Sequence, residues 1–179
     1  MEEKTFKSKL IYKGKILSLR LDDVILPNGK TTTREIVEHP GAVAILPLID
    51  KDKFLLVKQF RTPIRKTLLE IPAGKIEKGE NIKECAKREL IEETGYKTDN
   101  LKKLASVYLA PGYSSEIIHI FLAKNLKKSI ANPDDDEVIQ NVTLERKEAL
   151  NKIISGEIND SKTIIAVMLY FQLGKDSIS

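Results

Sequence analysis

The sequence predicts an α/β protein: an α/β/α sandwich around a mixed sheet, with a small antiparallel β domain in front of it. Three observations carry that expectation. Residues 42–50, AVAILPLID, form a nearly unbroken apolar run that suits a strand buried on both faces, and FLLVKQFR follows after one charged turn. Residues 82–94 have the apolar spacing of an amphipathic helix, with Asn81 before them as N-cap and Gly95 after them as the C′ residue. Residues 5–38 alternate apolar and polar side chains around the turn Pro27-Asn28-Gly29-Lys30, the pattern of antiparallel strands.

In chain order, TFKSKLIYKG is a strand ending at Gly14, ILSLRLDDVIL a second and TTTREIVEH a third. Three strands with so little apolar bulk do not stand alone, so they are expected to pack on the rest of the chain or on a second copy of it. His39-Pro40-Gly41 breaks the pattern and sets the expected boundary between a domain of residues 1–39 and one of residues 40–179. After the two core strands, LLEIP is a short extended piece leading to Ala73-Gly74, where a glycine lets the backbone come close to another group. Asn81 with Glu84 fits a capping box, and Ile82, Ala86 and Leu90 form the packing stripe, which leaves the carboxylates on a flank bordering a cleft. LKKLASVYLA and EIIHIFLAK are strands joined by a loop, residues 111–115, too elaborate for a tight hairpin. VIQNVTL is a further strand, and helices near 144–154 and 161–173 close the chain.

With 179 residues, 41% of them apolar and 31% charged, the chain has the composition of one globular domain with at most a small appendage. Its net charge of +4 comes from interspersed residues without an arginine-rich tract, which argues against nucleic acid as a partner. The single cysteine, Cys85, has no internal disulfide partner and is expected to be a small buried side chain in a reducing compartment. Neither a signal peptide nor an apolar span of about 20 residues is recognisable, so a cytoplasmic location and no membrane association are expected.

The chemistry concentrates in residues 74–96, GKIEKGENIKECAKRELIEETGY. On a helix, Glu89, Glu92 and Glu93 fall at i, i+3 and i+4 and meet on one face. Glu92 and Glu93 also occupy the last turn, where the negative end of the helix dipole disfavours anions by roughly 0.3–1 kcal/mol each. Glu-rich solvated helix faces are common, but a hard divalent cation such as Mg²⁺ would turn this unfavourable cluster into a binding site.

The spacing Gly74-x5-Glu80-x7-Arg88-Glu89-Leu90-x-Glu92-Glu93-x-Gly95-Tyr96 resembles the signature of the Nudix hydrolases, G-x5-E-x7-R-E-U-x-E-E-x-G-U. Tyr96, in place of an aliphatic residue, is the one departure. Pro111, 16 positions after Gly95, and the tracts LPNGKTTTREIVEHPGAVAILP, VKQFR and APGYSSEIIHIFLA are similar to the ADP-ribose pyrophosphatase branch of that superfamily.

The resemblance implies the α/β/α fold and hydrolysis of the pyrophosphate of ADP-ribose to AMP and ribose 5-phosphate, with Mg²⁺ (Mn²⁺ as substitute) held by the Ala73 carbonyl, Glu89, Glu92 and Glu93. It implies a structural role for Arg88, paired with Glu80 or a neighbour, and a pyrophosphate clamp at Arg61. It places Glu116 and Gly112 near the terminal ribose and Arg34 and Glu35 on the adenine side. Glu137, with Asp134, Asp135 and Asp136 as rivals, stands where such enzymes carry the base, whereas His39 and His119 are not expected to act. A homodimer that exchanges the N-terminal strands is implied as well. Two alternatives stay open: another nucleoside diphosphate sugar or dinucleotide as substrate, such as GDP-mannose, and a non-catalytic module that senses ADP-ribose.

Overall fold

The computed structural model describes residues 1–50, 52–131 and 138–173. It divides into two compact units, Met1–Gly41 with Val107–Ile118, and Ala42–Ser106 with His119–Ser179.

In the first unit, β1 (Lys4–Lys13), β2 (Ser18–Ile25) and β3 (Thr31–Glu38) form an antiparallel sheet in that order. The expected turn is present: Leu26 N–H donates to the Lys30 carbonyl at 2.8 Å, and Gly29 takes the left-handed φ of 82°. Residues 113–115 run beside the end of β3, with Val37 N–H donating to the Tyr113 carbonyl at 2.8 Å and Ser115 N–H to the Val37 carbonyl at 2.9 Å. Asp22, almost fully buried, accepts from Ser8 Oγ at 2.5 Å and pairs with Arg20 at 2.9 Å. β1 is exposed along its length within this unit, and Phe6, Leu10 and Tyr12 are each more than half exposed.

The remaining elements are β4 (Ala42–Ile49), β5 (Lys53–Arg61), β6 (Lys66–Glu70), β7 (Ala73–Lys75), α1 (Ile82–Thr94), β8 (Tyr96–Lys97), β9 (Asn100–Tyr108), β10 (Ile117–Lys124), β11 (Lys127–Lys128), β12 (Ile139–Glu145), α2 (Arg146–Ile154) and α3 (Ser161–Gln172), all in the second unit except the last two residues of β9 and the first two of β10. The main sheet runs β12-β5-β4-β10-β9, with β6 on β5 and β7 on β4. The short extended piece expected around LLEIP is a full strand, paired from Val57 opposite Glu70 to Arg61 opposite Lys66.

β4 is buried from Ala42 to Pro47, because both of its faces are covered. Val43 and Ile45 pack with Cys85, Ala86 and Leu90 of α1 and with Phe121 and Ala123 of β10. Strand alternation sends Ala44, Leu46 and Leu48 to the other face. There Phe54, opposite Leu48 in the register, meets Tyr170 of α3 edge to face with ring centroids 5.1 Å apart. Helices therefore cover both sides of the sheet.

α1 has the expected limits, and Cys85 joins the packing stripe while Ile82 is only partly buried. The expected open flank is corrected for two of the carboxylates. Glu89 and Glu93 are 9% and 5% exposed, buried almost as deeply as the apolar stripe.

Candidate active site

Local sequence sets the two ends of α1. Asn81 Oδ1 accepts from Lys83 N–H at 2.9 Å, and Gly95, at φ 71°, donates to the Ile91 carbonyl at 2.8 Å. Glu84 pairs with Lys87 at 3.2 Å. The last turn holds no basic side chain, so no cation in that turn offsets Glu92 and Glu93 at the negative end of the dipole.

The counter-charge comes from Arg88. Its Nε donates to Glu80 Oε1 at 2.9 Å and its Nη2 to Glu80 Oε2 at 3.1 Å, a two-point grip on the loop before the helix. Nη1 donates to Glu89 at 2.7 Å and to Glu92 at 2.8 Å, and Nη2 also reaches the Lys75 carbonyl at 3.3 Å. One guanidinium thus faces three carboxylates. Its hydrogen bonds hold the Glu80 carboxyl down to about 2, against an ordinary value of 4.5, while the Glu80 bond raises the pKa of Arg88. Beside it, burial pushes the Cys85 thiol up to about 12, so this cysteine is an inert core residue.

Gly74 leaves room for this packing, since any Cβ there would displace the Glu89 carboxylate. A Cβ at residue 74 would lie 2.0 Å from the carboxyl carbon of Glu89 and 2.1 and 2.2 Å from its oxygens. β7 pairs with β4, Val43 opposite Gly74, so the glycine is held in place and forms a cradle for the carboxylate. Among the described residues no three carboxylate, imidazole or thiol groups stand in an arrangement that would hold a metal ion. Arg88 instead bridges Glu89 and Glu92. The donor set is nevertheless one of hard oxygens, suited to Mg²⁺.

A second charged cluster lies at the end of β5. Arg61 donates from Nε to Glu70 Oε1 and from Nη2 to Glu70 Oε2, each at 2.8 Å. Lys162, near the start of α3, also bonds Glu70 Oε2 and reaches Asp160 Oδ1 at 3.0 Å. Asp160 is the N-cap of α3, its Oδ2 accepting from Thr163 N–H at 3.0 Å, and Thr163 Oγ1 accepts from Ile71 N–H at 2.8 Å. Glu70 is 1% exposed. Burial pushes its carboxyl up, but the Arg61 hydrogen bond and the Lys162 charge outweigh this and leave it below the ordinary carboxylate value. Glu70 and Lys162 carry no signal in the sequence, because their contact joins residues 92 apart; only the Asp160 cap was accessible to local reading.

The other expected residues lie in the first unit or outside the described residues. Arg34 is bound to Glu3, at 2.6 Å from Nη2 and 3.0 Å from Nε, and Glu35 points to the opposite face of β3. Glu116 lies 3.9 Å from His39 Nδ1, and a Cβ at Gly112 would meet open space. Glu137, Asp134, Asp135 and Asp136 fall outside the described residues. In the second unit His119 Nδ1 is 2.7 Å from Ser106 Oγ, and burial lowers its pKa, which suits a neutral packed ring.

Comparison with known proteins places this geometry. Residues 38–164 match the NUDIX domain, and residues 3–37 match the nucleoside diphosphate sugar hydrolase N-terminal domain. The chain is 48% identical over 174 residues to a methanol dehydrogenase activator of Bacillus methanolicus, covering 96% of this chain and 94% of that one. It is 46% identical over 175 residues to an ADP-ribose pyrophosphatase of Bacillus subtilis (strain 168), covering 97% and 94%. A crystal structure of an ADP compounds hydrolase superposes with a TM-score of 0.87 over 100% of this chain and 98% of that one, at 22% identity, a likeness of fold. The glycine cradle, the arginine-braced carboxylates and these matches agree that the chain belongs to the Nudix hydrolase superfamily, in its ADP-ribose pyrophosphatase branch.

Proposed function

We propose that the chain hydrolyses ADP-ribose to AMP and ribose 5-phosphate in a Mg²⁺-dependent reaction. The observation that carries the reading is the set Glu80, Glu89 and Glu92 on one arginine, with the Glu89 carboxylate seated where a side chain at Gly74 would lie. Glu89, Glu92, Glu93 and the Ala73 carbonyl would hold the ion. It would neutralise the diphosphate and the charge developing on the leaving oxygen. Mn²⁺, with the same preference for oxygen donors, is the expected substitute.

The residues of the chain do the rest. Arg88 fixes the approach of Glu89 and Glu92 and holds their carboxylates on one side of the helix before substrate arrives. Arg61, with a side chain 37% exposed beyond its grip on Glu70, is the group that clamps the diphosphate. Glu137 is proposed as the base that accepts the proton of the attacking water. In the first unit Arg34 and Glu35 are assigned to the adenine side and Gly112 and Glu116 to the ribose side. The more than half exposed Phe6, Leu10 and Tyr12 of β1 support a homodimer formed through the N-terminal strands of residues 1–39, with residues 40–179 as the hydrolase domain. No described helix is long and apolar enough to cross a membrane, and a cytoplasmic enzyme is the simplest reading.

The test is to incubate purified protein with ADP-ribose, GDP-mannose and other nucleoside diphosphate sugars, with Mg²⁺ or with chelator, and to measure phosphomonoester release. ADP-ribose should give the highest kcat/KM, and chelator should abolish turnover. Preference for another sugar nucleotide would overturn the substrate, and binding of ADP-ribose without turnover would leave a sensing module. Light scattering at micromolar concentration should give the mass of a dimer; a monomer would remove the strand exchange.

A further inference from the structure

The contact between Lys162 and Glu70 has no part in the reaction as described above, yet it places an almost fully buried ammonium against the carboxylate that Arg61 holds. We infer that Lys162 is a positioning residue for substrate binding: with Arg61 it balances Glu70 and Asp160, so that the Arg61 guanidinium keeps its orientation and an uncancelled field for a diphosphate. The inference rests on the proposed role of Arg61 as the clamp.

The argument is electrostatic. Arg61, Lys162, Glu70 and Asp160 form an ion-paired cluster whose formal charges cancel, with the Glu93 carboxylate as a further negative charge felt by Arg61. Without Lys162 the same cluster is a net anion, with Arg61 committed by two hydrogen bonds to a carboxylate that has lost its other partner. A diphosphate approaching Arg61 would then meet one more uncompensated negative charge, in a region too sheltered for water to screen it fully. Placement matters as well. Glu70 Oε1 takes Arg61 alone, while Oε2 takes both Arg61 and Lys162, so the lysine fixes the carboxylate plane that the planar guanidinium must match. The remaining Arg61 nitrogen, Nη1, is the one not engaged by Glu70 in this arrangement. A stability role alone would not need the lysine to share the oxygen that Arg61 uses.

Steady-state kinetics with ADP-ribose would test this on four proteins: wild type, Lys162→Met, Lys162→Arg, and the double variant Lys162→Met with Glu70→Gln. Lys162→Met should raise KM by about tenfold with a much smaller change in kcat, the scale of one unbalanced charge. Lys162→Arg should recover most of the affinity. The double variant, neutral again around Arg61, should bring KM back to within about threefold of wild type, because the charge rather than the contact is what substrate senses. Thermal melting of all four separates folding from binding. If Lys162→Met leaves KM unchanged, or if the double variant binds worse than the single one, the inference falls. Should Lys162→Met fail to fold, the double variant and Lys162→Arg still decide it. Absence of any turnover or binding by the wild type would overturn the functional reading itself, whereas normal wild-type turnover with an unmoved KM in Lys162→Met would overturn only the role of the lysine.

Discussion

Two charged clusters in the same unit are built in opposite senses. At α1 one cation, Arg88, is shared by three carboxylates, Glu80, Glu89 and Glu92. At the end of β5 one carboxylate, Glu70, is shared by two cations, Arg61 and Lys162. The first retains net negative charge, the chemistry of a cation site; the second is formally balanced, and under the proposed function its arginine faces the diphosphate. A metal-assisted hydrolase of a diphosphate needs both halves, and the difference teaches that each is set by its counter-ions as much as by the residues that would touch ligand. Burial differs too: the Arg88 side chain is 31% exposed, while Glu70 and Lys162 are 1% and 7% exposed.

The largest effect that would test this contrast is on turnover. Glu93→Gln should lower kcat by about a thousandfold while the melting temperature stays close to that of wild type, because it removes one charge from a site that needs all of them. Normal turnover by this variant would break the assignment of the α1 cluster to metal. Glu70→Ala should act in the reverse way, through folding. It leaves the buried ammonium of Lys162 with Asp160 alone and takes from Arg61 its carboxylate, and should cost about 3–4 kcal/mol in denaturant unfolding, the usual result of breaking a buried ion pair. A loss below about 1 kcal/mol would mean that the buried pair contributes no more than an exposed one does.

Gly74→Ala tests the cradle. The added methyl overlaps the Glu89 carboxylate, so stability should fall by about 1–3 kcal/mol and catalysis should suffer further as Glu89 is displaced. An alanine variant with full activity would show that Glu89 has room to move without consequence. The smallest effect is that of pH on Glu80. Its pKa is lowered on folding, so its contribution to stability is fully present above the ordinary carboxylate value of 4.5 and is lost as pH falls toward about 2. Wild type should therefore be more stable than Glu80→Gln at pH 7, and the gap in melting temperature should narrow between pH 4.5 and 2. A gap that is constant across that range would show that the Arg88–Glu80 pair contributes shape and not charge.

Much of the first cluster was legible because it is local. Asn81 and Gly95 mark the ends of α1, the i, i+3, i+4 spacing brings the glutamates together, and the glycine before the helix announces a close approach. The depth of Glu89 and Glu93 was not legible, because it depends on β7 lying beside α1, which pairing with β4 decides. Arg61 was visible as a candidate, but its partners were not, since Glu70 reaches it through a strand pairing and Lys162 through a helix that starts about ninety residues later.

The order of elements, the limits of α1, the turn at Asn28-Gly29 and the gathering of Glu89, Glu92 and Glu93 near the end of one helix followed from the sequence alone, because each depends on residues within one or two turns of chain. Which charge faces which carboxylate was decided only by the tertiary structure. Ion pairs between distant segments obey no periodicity: their geometry follows from how the sheet and helices pack, and a buried charge takes its meaning from the groups that packing leaves beside it.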